Sequence, residues 1–282
     1  MDYNKDISAN ILLRNNSPVE GFLGLTPNQV HYLLYETFSD RSPIHFNNDI
    51  NDNTLDQIPI FRIAEEYLKI INRDKYIKTT PLGALPKKVM VEIYDKRILL
   101  DECIESGIVK LWKEQDCISI MSARFTLELA GLVRKSNGKL TLTKTATKLL
   151  DANNRLEVFK LFLKAFTDKF LWSFNDGYPN QSIGQLGWAF SVYMIDKFGD
   201  QTHTPEFYSD NYLKAFPSFI EFFKSDHAGP ERDFSECYTI RTFNRFLVWF
   251  GFVSIKKGKK NSDTETITRN ELIKKVFAFD QV

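Results

Sequence analysis

Cysteine is scarce: Cys103, Cys117 and Cys237 are the three thiols in 282 residues. An odd count without a close pair excludes a disulfide framework and a Cys-based zinc site, and predicts reduced thiols. The four histidines, His31, His45, His203 and His227, are scattered, and none is spaced with a Cys as a zinc-ligand pair would be. Long apolar runs are missing as well. The most apolar stretch, Leu186 to Ile195, is about half of the roughly 20 residues a membrane-spanning helix needs. It reads as a buried helix instead. The first residues, Met1 to Asp6, have neither the basic start nor the apolar stretch of a secretory signal. The expectation is a cytoplasmic chain with no membrane partner.

Catalytic signatures are missing too. The sequence has no Walker phosphate loop, no dinucleotide-binding glycine fingerprint, no Gly-x-Ser-x-Gly elbow and no His-Glu-x-x-His. No Asp or Glu stands two positions before a Lys, which removes the acid-x-Lys element of many metal-dependent nucleases. The carboxylate pairs Glu65-Glu66 and Asp101-Glu102 are adjacent, so on a helix they point about 100° apart and do not converge on one atom. No cofactor, no metal ligand and no catalytic residue is assigned.

What is present is a large apolar content, 43% hydrophobic and 14% aromatic with 24 Phe. That is enough side-chain area to offset the conformational entropy lost on folding. The net charge of +1 hides an uneven distribution. Residues 81–150 carry 12 Lys and Arg against 8 Asp and Glu, and residues 238–282 carry 9 against 4. Residues 1–80 and 151–237 are acidic. Concentrated charge of one sign bears on partners more than the total does.

Residues 1–80 read as an N-terminal helical segment with a long loop. Thr26, Pro27 and Gln29 form the pattern of a capping box with proline at the first helical position. Ser39 to Pro59 is rich in Asn, Asp, Ser and Pro, which predicts a loop. A helix from Pro59 to about Asn72 follows, with Ile60, Ile63, Ala64, Tyr67, Leu68 and Ile71 on its apolar face.

Residues 81–150 read as a first winged-helix-like unit. A helix from about Ser119 to Ala130 stops at Gly131, and two strands follow around Asn137-Gly138, a pair suited to positive φ. Thr143 then caps another helix. The helix exposes Ser119, Ser122, Arg124 and Glu128 in this reading, and Arg134, Lys135 and Lys139 decorate the wing. This unit is expected to be structural or to contact phosphates.

Residues 151–237 read as an aromatic-rich helical middle and residues 238–282 as a second winged-helix-like unit. A helix through Ile240, Phe243, Phe246, Leu247 and Phe250 stops at Gly251. Strands flank a basic tip, and Thr268 with Glu271 makes a candidate capping box. The distance from glycine to capping threonine is 12 residues in the first unit and 17 in the second. The second wing is therefore longer. Together these elements predict a mainly α protein with two helix-plus-hairpin units.

The segments Gly24-Leu25-Thr26-Pro27-Asn28-Gln29, Leu33-Leu34-Tyr35 and Gly83-Ala84-Leu85-Pro86-Lys87-Lys88-Val89 resemble a family of uncharacterised bacterial proteins, sometimes fused to metal-binding or plasmid-borne modules. In that family a glycine-leucine-proline-lysine segment precedes a winged-helix region. The likeness runs from about Gly24 to Ala278. It implies the architecture and carries over no activity, cofactor or catalytic residue.

The candidate nucleic-acid site lies in the second unit. Arg241 and Arg245 are four apart with Asn244 beside them, so one helix face would present two guanidiniums and an amide. Arg bonds bidentately to guanine and Asn to adenine. Lys256, Lys257, Lys259 and Lys260 at the wing tip would neutralise phosphates. The leading expectation is a non-catalytic nucleic-acid-binding or regulatory protein with double-stranded DNA as partner. It predicts that replacing Arg241 and Arg245 with Ala abolishes binding and barely moves the melting temperature. The alternative is a protein-interaction scaffold whose winged units are structural. A third is an enzyme with an unrecognised pocket in the aromatic middle. The oligomeric state is not readable from the residues.

Overall fold

The computed structural model describes residues 3–224, 229–258 and 265–280. Helices hold 53% of the residues and strands 9%, so the chain is mainly α with small sheets. The described strands are β1 (Ile44–Phe46), β2 (Ile77–Lys78), β3 (Val133–Ser136), β4 (Lys139–Leu142), β5 (Val253–Lys256), β6 (Thr266–Arg269) and β7 (Phe277–Phe279). They pair antiparallel in three sheets, with strand orders β2-β4-β3, β5-β6 and β1-β7.

The chain divides by its contacts into two compact units. One joins residues 50–171 with 249–251. The other joins the chain up to Asp49 with residues 172–248 and with the chain from Phe252 on. This division cuts across the sequence segments 1–80 and 238–282, because it follows long-range packing rather than chain order.

In the unit of residues 50–171, helix Pro59–Asp74 packs its apolar face, including Ile60, Phe61, Ile63, Ala64, Tyr67 and Leu68, into the core. Helix Ile118–Leu129 packs on it, and helix Arg155–Asp168 on the other side adds Phe159, Phe162 and Phe166. Phe61 meets Phe159 edge-on at 5.3 Å, and Phe166 meets Phe250 at 5.1 Å, geometries that suit the ring quadrupole. Asn137 and Gly138 both take positive φ, as a two-residue hairpin turn requires. Thr143 caps helix Lys144–Asp151 by accepting from the Ala146 amide at 3.1 Å.

The other unit is built on helices Trp188–Phe198, Pro205–Ala215 and Pro230–Tyr238, the last running on as a π-helix over Thr239–Leu247. Its core is aromatic, with Trp172, Phe190, Tyr212, Tyr238, Phe243 and Phe246 all buried. The capping box at Thr26 and Gln29 forms in both directions. Helix Tyr3–Asn15 precedes it, an element the sequence reading did not assign.

Two expectations need correction. The stretch from Ser39 to Pro59 is not one loop: it holds β1 and the short helix Asp52–Leu55. Ile44 is buried because it pairs with Phe279, a partner too distant in the chain for local patterning to reveal. Thr268 does not cap a helix. It lies in β6 opposite Ser254, and the helix Leu272–Val276 has no side-chain cap.

Candidate functional site

Arg241 does not stand on an outward helix face. It is 0% exposed, and its guanidinium is fully committed. Nε and Nη2 donate to the Asp176 carboxylate at 2.7 and 3.0 Å. Nη1 donates to the carbonyls of Asn180 (2.7 Å) and Ile183 (3.4 Å), and Nη2 also to that of Tyr178 (3.4 Å). Five N–H donors thus meet five acceptors. Arg245 donates through Nη1 to the carbonyls of Trp172 and Phe174, each at 2.8 Å, and lies 3.5 Å from the same carboxylate. Burial pushes the Arg245 guanidinium below its ordinary value, against the pull of Asp176. The two arginines therefore fix the loop of residues 172–184. That loop approaches so closely that a side chain at Gly184, where φ is +79°, would meet Thr242 Oγ1 at 2.7 Å.

The groove-reading face is overturned for a physical reason: the helix turns that carry Arg241 and Arg245 face the Asp176 carboxylate and five carbonyl acceptors of their own chain. Asn244 is exposed, but the arginines do not join it. Lys256 and Lys257 are exposed on the β5-β6 hairpin, while Lys259 and Lys260 lie outside the described residues. Arg269, inside β6, is held by the Asp196 carbonyl at 2.8 Å and by Asp200.

The helix Ile118–Leu129 fails the same test. Ser119, Ser122 and Arg124 are buried, because the helix is central to its unit. Arg124 pairs with Glu114 and Glu128, Glu114 also accepts from the Leu85 amide at 3.0 Å, and Tyr67 donates to the Ile120 carbonyl at 2.9 Å. Neither expected reading helix is available to a groove.

Among the described residues, exposed cations outside the described ion pairs gather on the sheet of order β2-β4-β3. Register places Lys78, Lys139 and Ser136 side by side, with Thr141 beside Arg134, on one face. Ile77, Leu140 and Val133 occupy the other face and are buried. Period-two alternation therefore turns Lys78, Arg134 and Lys139 outward together. All three are exposed, and none of the described ion pairs involves them. Lys139 sits over the ring of Tyr76, 4.1 Å from its centroid. A shallow cleft of about 540 Å³ beside β2 is lined by Tyr76, Lys78, Thr79, Pro86 and Lys88 together with Asp74. Asp74 is neutralised by Arg73, whose Nε and Nη2 donate to it at 2.8 Å, and this contact holds the carboxyl below its ordinary value.

Sequence keeps carboxylates away from the strands of this sheet. Between residues 75 and 91 stand Lys75, Lys78, Lys87 and Lys88 with no acidic residue, and between 129 and 150 stand Arg134, Lys135, Lys139, Lys144 and Lys148, again with none. The signal for this surface was an acid-free pair of segments, a pattern that needed the β2-β4 pairing to become one patch.

No protein-family model, no curated protein and no solved structure matches this chain.

Little here supports other chemistry. Burial pushes the Cys237 thiol up to about 12 and raises that of Cys117, so neither offers a thiolate near neutral pH. Among the described residues no cluster of His, Cys, Asp and Glu is placed to hold a metal ion. A cleft of about 700 Å³ between helices Pro59–Asp74 and Arg155–Asp168 is lined by Asp56, Arg62, Glu65, Glu66 and Arg155. Its carboxylates are largely tied: Arg155 binds Glu65 at 2.7 Å, Asp56 at 2.7 Å and Asp52 at 3.2 Å. No described helix is long and apolar enough to cross a membrane.

Proposed function

We propose that this chain is a non-catalytic nucleic-acid-binding protein that holds the phosphate backbone on the outward face of the β2-β4-β3 sheet. The observation that carries the reading is the alignment of Lys78, Arg134 and Lys139 on one exposed face without carboxylate partners. Cations so placed release condensed counterions when they meet phosphates, which supplies affinity without reading sequence. The two helix-plus-hairpin segments, residues 118–151 and 239–276, are winged-helix-like in this reading. Their helices pack inward and the first wing makes the contact. The resemblance of the Gly24–Gln29 and Gly83–Val89 segments to an uncharacterised bacterial family belongs to the same proposal, as does a cytoplasmic setting, which suits three free cysteines. Titrating a labelled oligonucleotide at two salt concentrations tests it. Affinity that falls steeply with salt is expected, and no binding at low salt would remove the reading.

A second reading, an interaction scaffold, is favoured by helix Tyr3–Asn15, where Ile7, Ile11, Leu12 and Leu13 are all exposed. A defined protein partner that survives nuclease treatment and is lost in an Ile11→Glu, Leu13→Glu variant would replace the first reading with this one.

A further inference from the structure

Two aromatic rings stand exposed among the lysines of the same unit, and each has an ammonium over its face. Tyr76, 42% exposed, carries Lys139 at 4.1 Å. Trp112, 66% exposed, carries Lys87 at 5.5 Å and Lys110 at 5.8 Å. Lys87 and its neighbour Lys88 open helix Lys87–Tyr94, and Lys88 lines the cleft that also contains Tyr76. One lysine of the pair thus lies over Trp112, and the other lines the cleft beside Tyr76. The carboxylate nearest Trp112, Asp116, accepts from the backbone amides of Trp112 and Lys113 at 2.9 and 2.8 Å, so it is occupied by its own turn.

Large apolar rings normally find cover in a core, and a Trp left two-thirds exposed loses the burial that its area would supply. A phosphate-binding face explains the lysines but not the rings, because an intact duplex offers phosphates and groove edges and keeps its base faces stacked on each other. A base freed from a duplex offers a π-face of the kind Tyr and Trp accept, while phosphates on either side of it meet the lysines.

Resting on the phosphate-binding reading above, we propose that the ligand is single-stranded nucleic acid, with unpaired bases stacked on Tyr76 and Trp112 and the intervening backbone held by Lys87, Lys88, Lys78 and Lys139. The lysine over each ring then serves two groups: it stays in contact with the aromatic face edge and moves toward phosphate as the base arrives.

The test uses the full chain and three labelled ligands of about 15 nucleotides, namely oligothymidylate, a mixed-sequence duplex, and an abasic strand with the same number of phosphates. Oligothymidylate is expected to bind about a hundredfold tighter than the abasic strand, since each of the two stacked bases contributes about tenfold. It should also quench tryptophan emission, because Trp172 and Trp188 are buried and Trp249 is half-buried, leaving Trp112 as the ring a ligand reaches. Tyr76→Ala and Trp112→Ala should each bring oligothymidylate down toward the abasic affinity at unchanged melting temperature, and Trp112→Phe should restore most of the difference. Equal affinity for the abasic strand, or tighter binding of the duplex, would overturn the single-strand proposal and leave phosphate binding standing. Failure of all three ligands at low salt would overturn both.

Discussion

The two segments that run helix, glycine, hairpin, helix dispose of their cations in opposite ways. In residues 118–151 the hairpin cations Arg134 and Lys139 stand on an outward sheet face beside Lys78, with no acidic residue between 129 and 150. In residues 239–276 the three arginines turn inward: Arg241 and Arg245 close on Asp176 and five carbonyls, and Arg269 is held by Asp196 and Asp200. The local order of elements is shared, yet the sheet-face cations of one stand outward while the arginines of the other are paired inside. What decides between them is where the fold supplies a carboxylate. A guanidinium with a buried acid in reach becomes structural, and an ammonium without one remains available to a ligand.

The largest effect expected from this contrast falls on stability. Asp176→Ala leaves the Arg241 guanidinium, 0% exposed, without its counter-charge, and removing one partner of such a pair costs about 3–5 kcal/mol. Urea denaturation of the variant should show a correspondingly lower midpoint or no folded protein at all. Replacing Arg241 with Ala should destabilise on the same scale, in contrast with the small change expected of a surface arginine. A variant that melts with the parent would mean that the two segments do not differ in the way described.

Next comes binding. Charge reversal at Lys78, Arg134 and Lys139 should abolish oligonucleotide binding while the melting temperature holds, because all three side chains are exposed. Single replacements with Ala should each weaken binding, and the triple Ala variant should flatten the dependence of log affinity on log salt by about 2 for a single strand. An unchanged slope would place the phosphates on another surface.

The parts legible from sequence were those fixed by neighbours in the chain. Thr26 with Gln29, Thr143 ahead of its helix, and Asn137-Gly138 at the hairpin all depend on residues within a turn of each other. The aromatic stripe through Phe159, Phe162 and Phe166 was legible too, since helical periodicity marks a buried face whatever it packs against. The site was not legible in the same way. Spacing four apart put Arg241 and Arg245 on one face, but whether that face met solvent depended on Asp176, which is remote in sequence and gave no local sign. The outward face of the β2-β4-β3 sheet depended on Ile77 pairing with Leu140, again a contact between distant segments. Lysine in a two-residue strand looks like any solvated lysine until its register is known.

A smaller effect separates the two threonines that follow the hairpins. Thr143 caps helix Lys144–Asp151 and also donates to the Gly131 carbonyl at 2.7 Å, so Thr143→Ala should cost about 1 kcal/mol. Thr268 sits in β6 with no helix to cap, and Thr268→Ala should stay within about 0.5 kcal/mol. Equal losses in thermal unfolding would restore the symmetry between the two segments that the structure removes.

The smallest expected effect is the most direct comparison of the two hairpins. Lys256 and Lys257 are as exposed as Lys78 and Lys139, so exposure alone would give them equal weight at a phosphate. The difference lies in the cations described around each pair. The guanidiniums of Arg241, Arg245 and Arg269 that would have extended a basic surface around them are drawn into ion pairs, whereas Lys78 stands in register with Lys139 and on the same sheet face as Arg134. Phosphate binding depends on several cations meeting one backbone, since each contact contributes one released counterion. Lys256→Ala with Lys257→Ala should therefore leave oligonucleotide affinity nearly unchanged under conditions where Lys78→Ala with Lys139→Ala weakens it measurably. If the order is reversed, the second hairpin is the contact surface and the inward arginines serve to hold it in place.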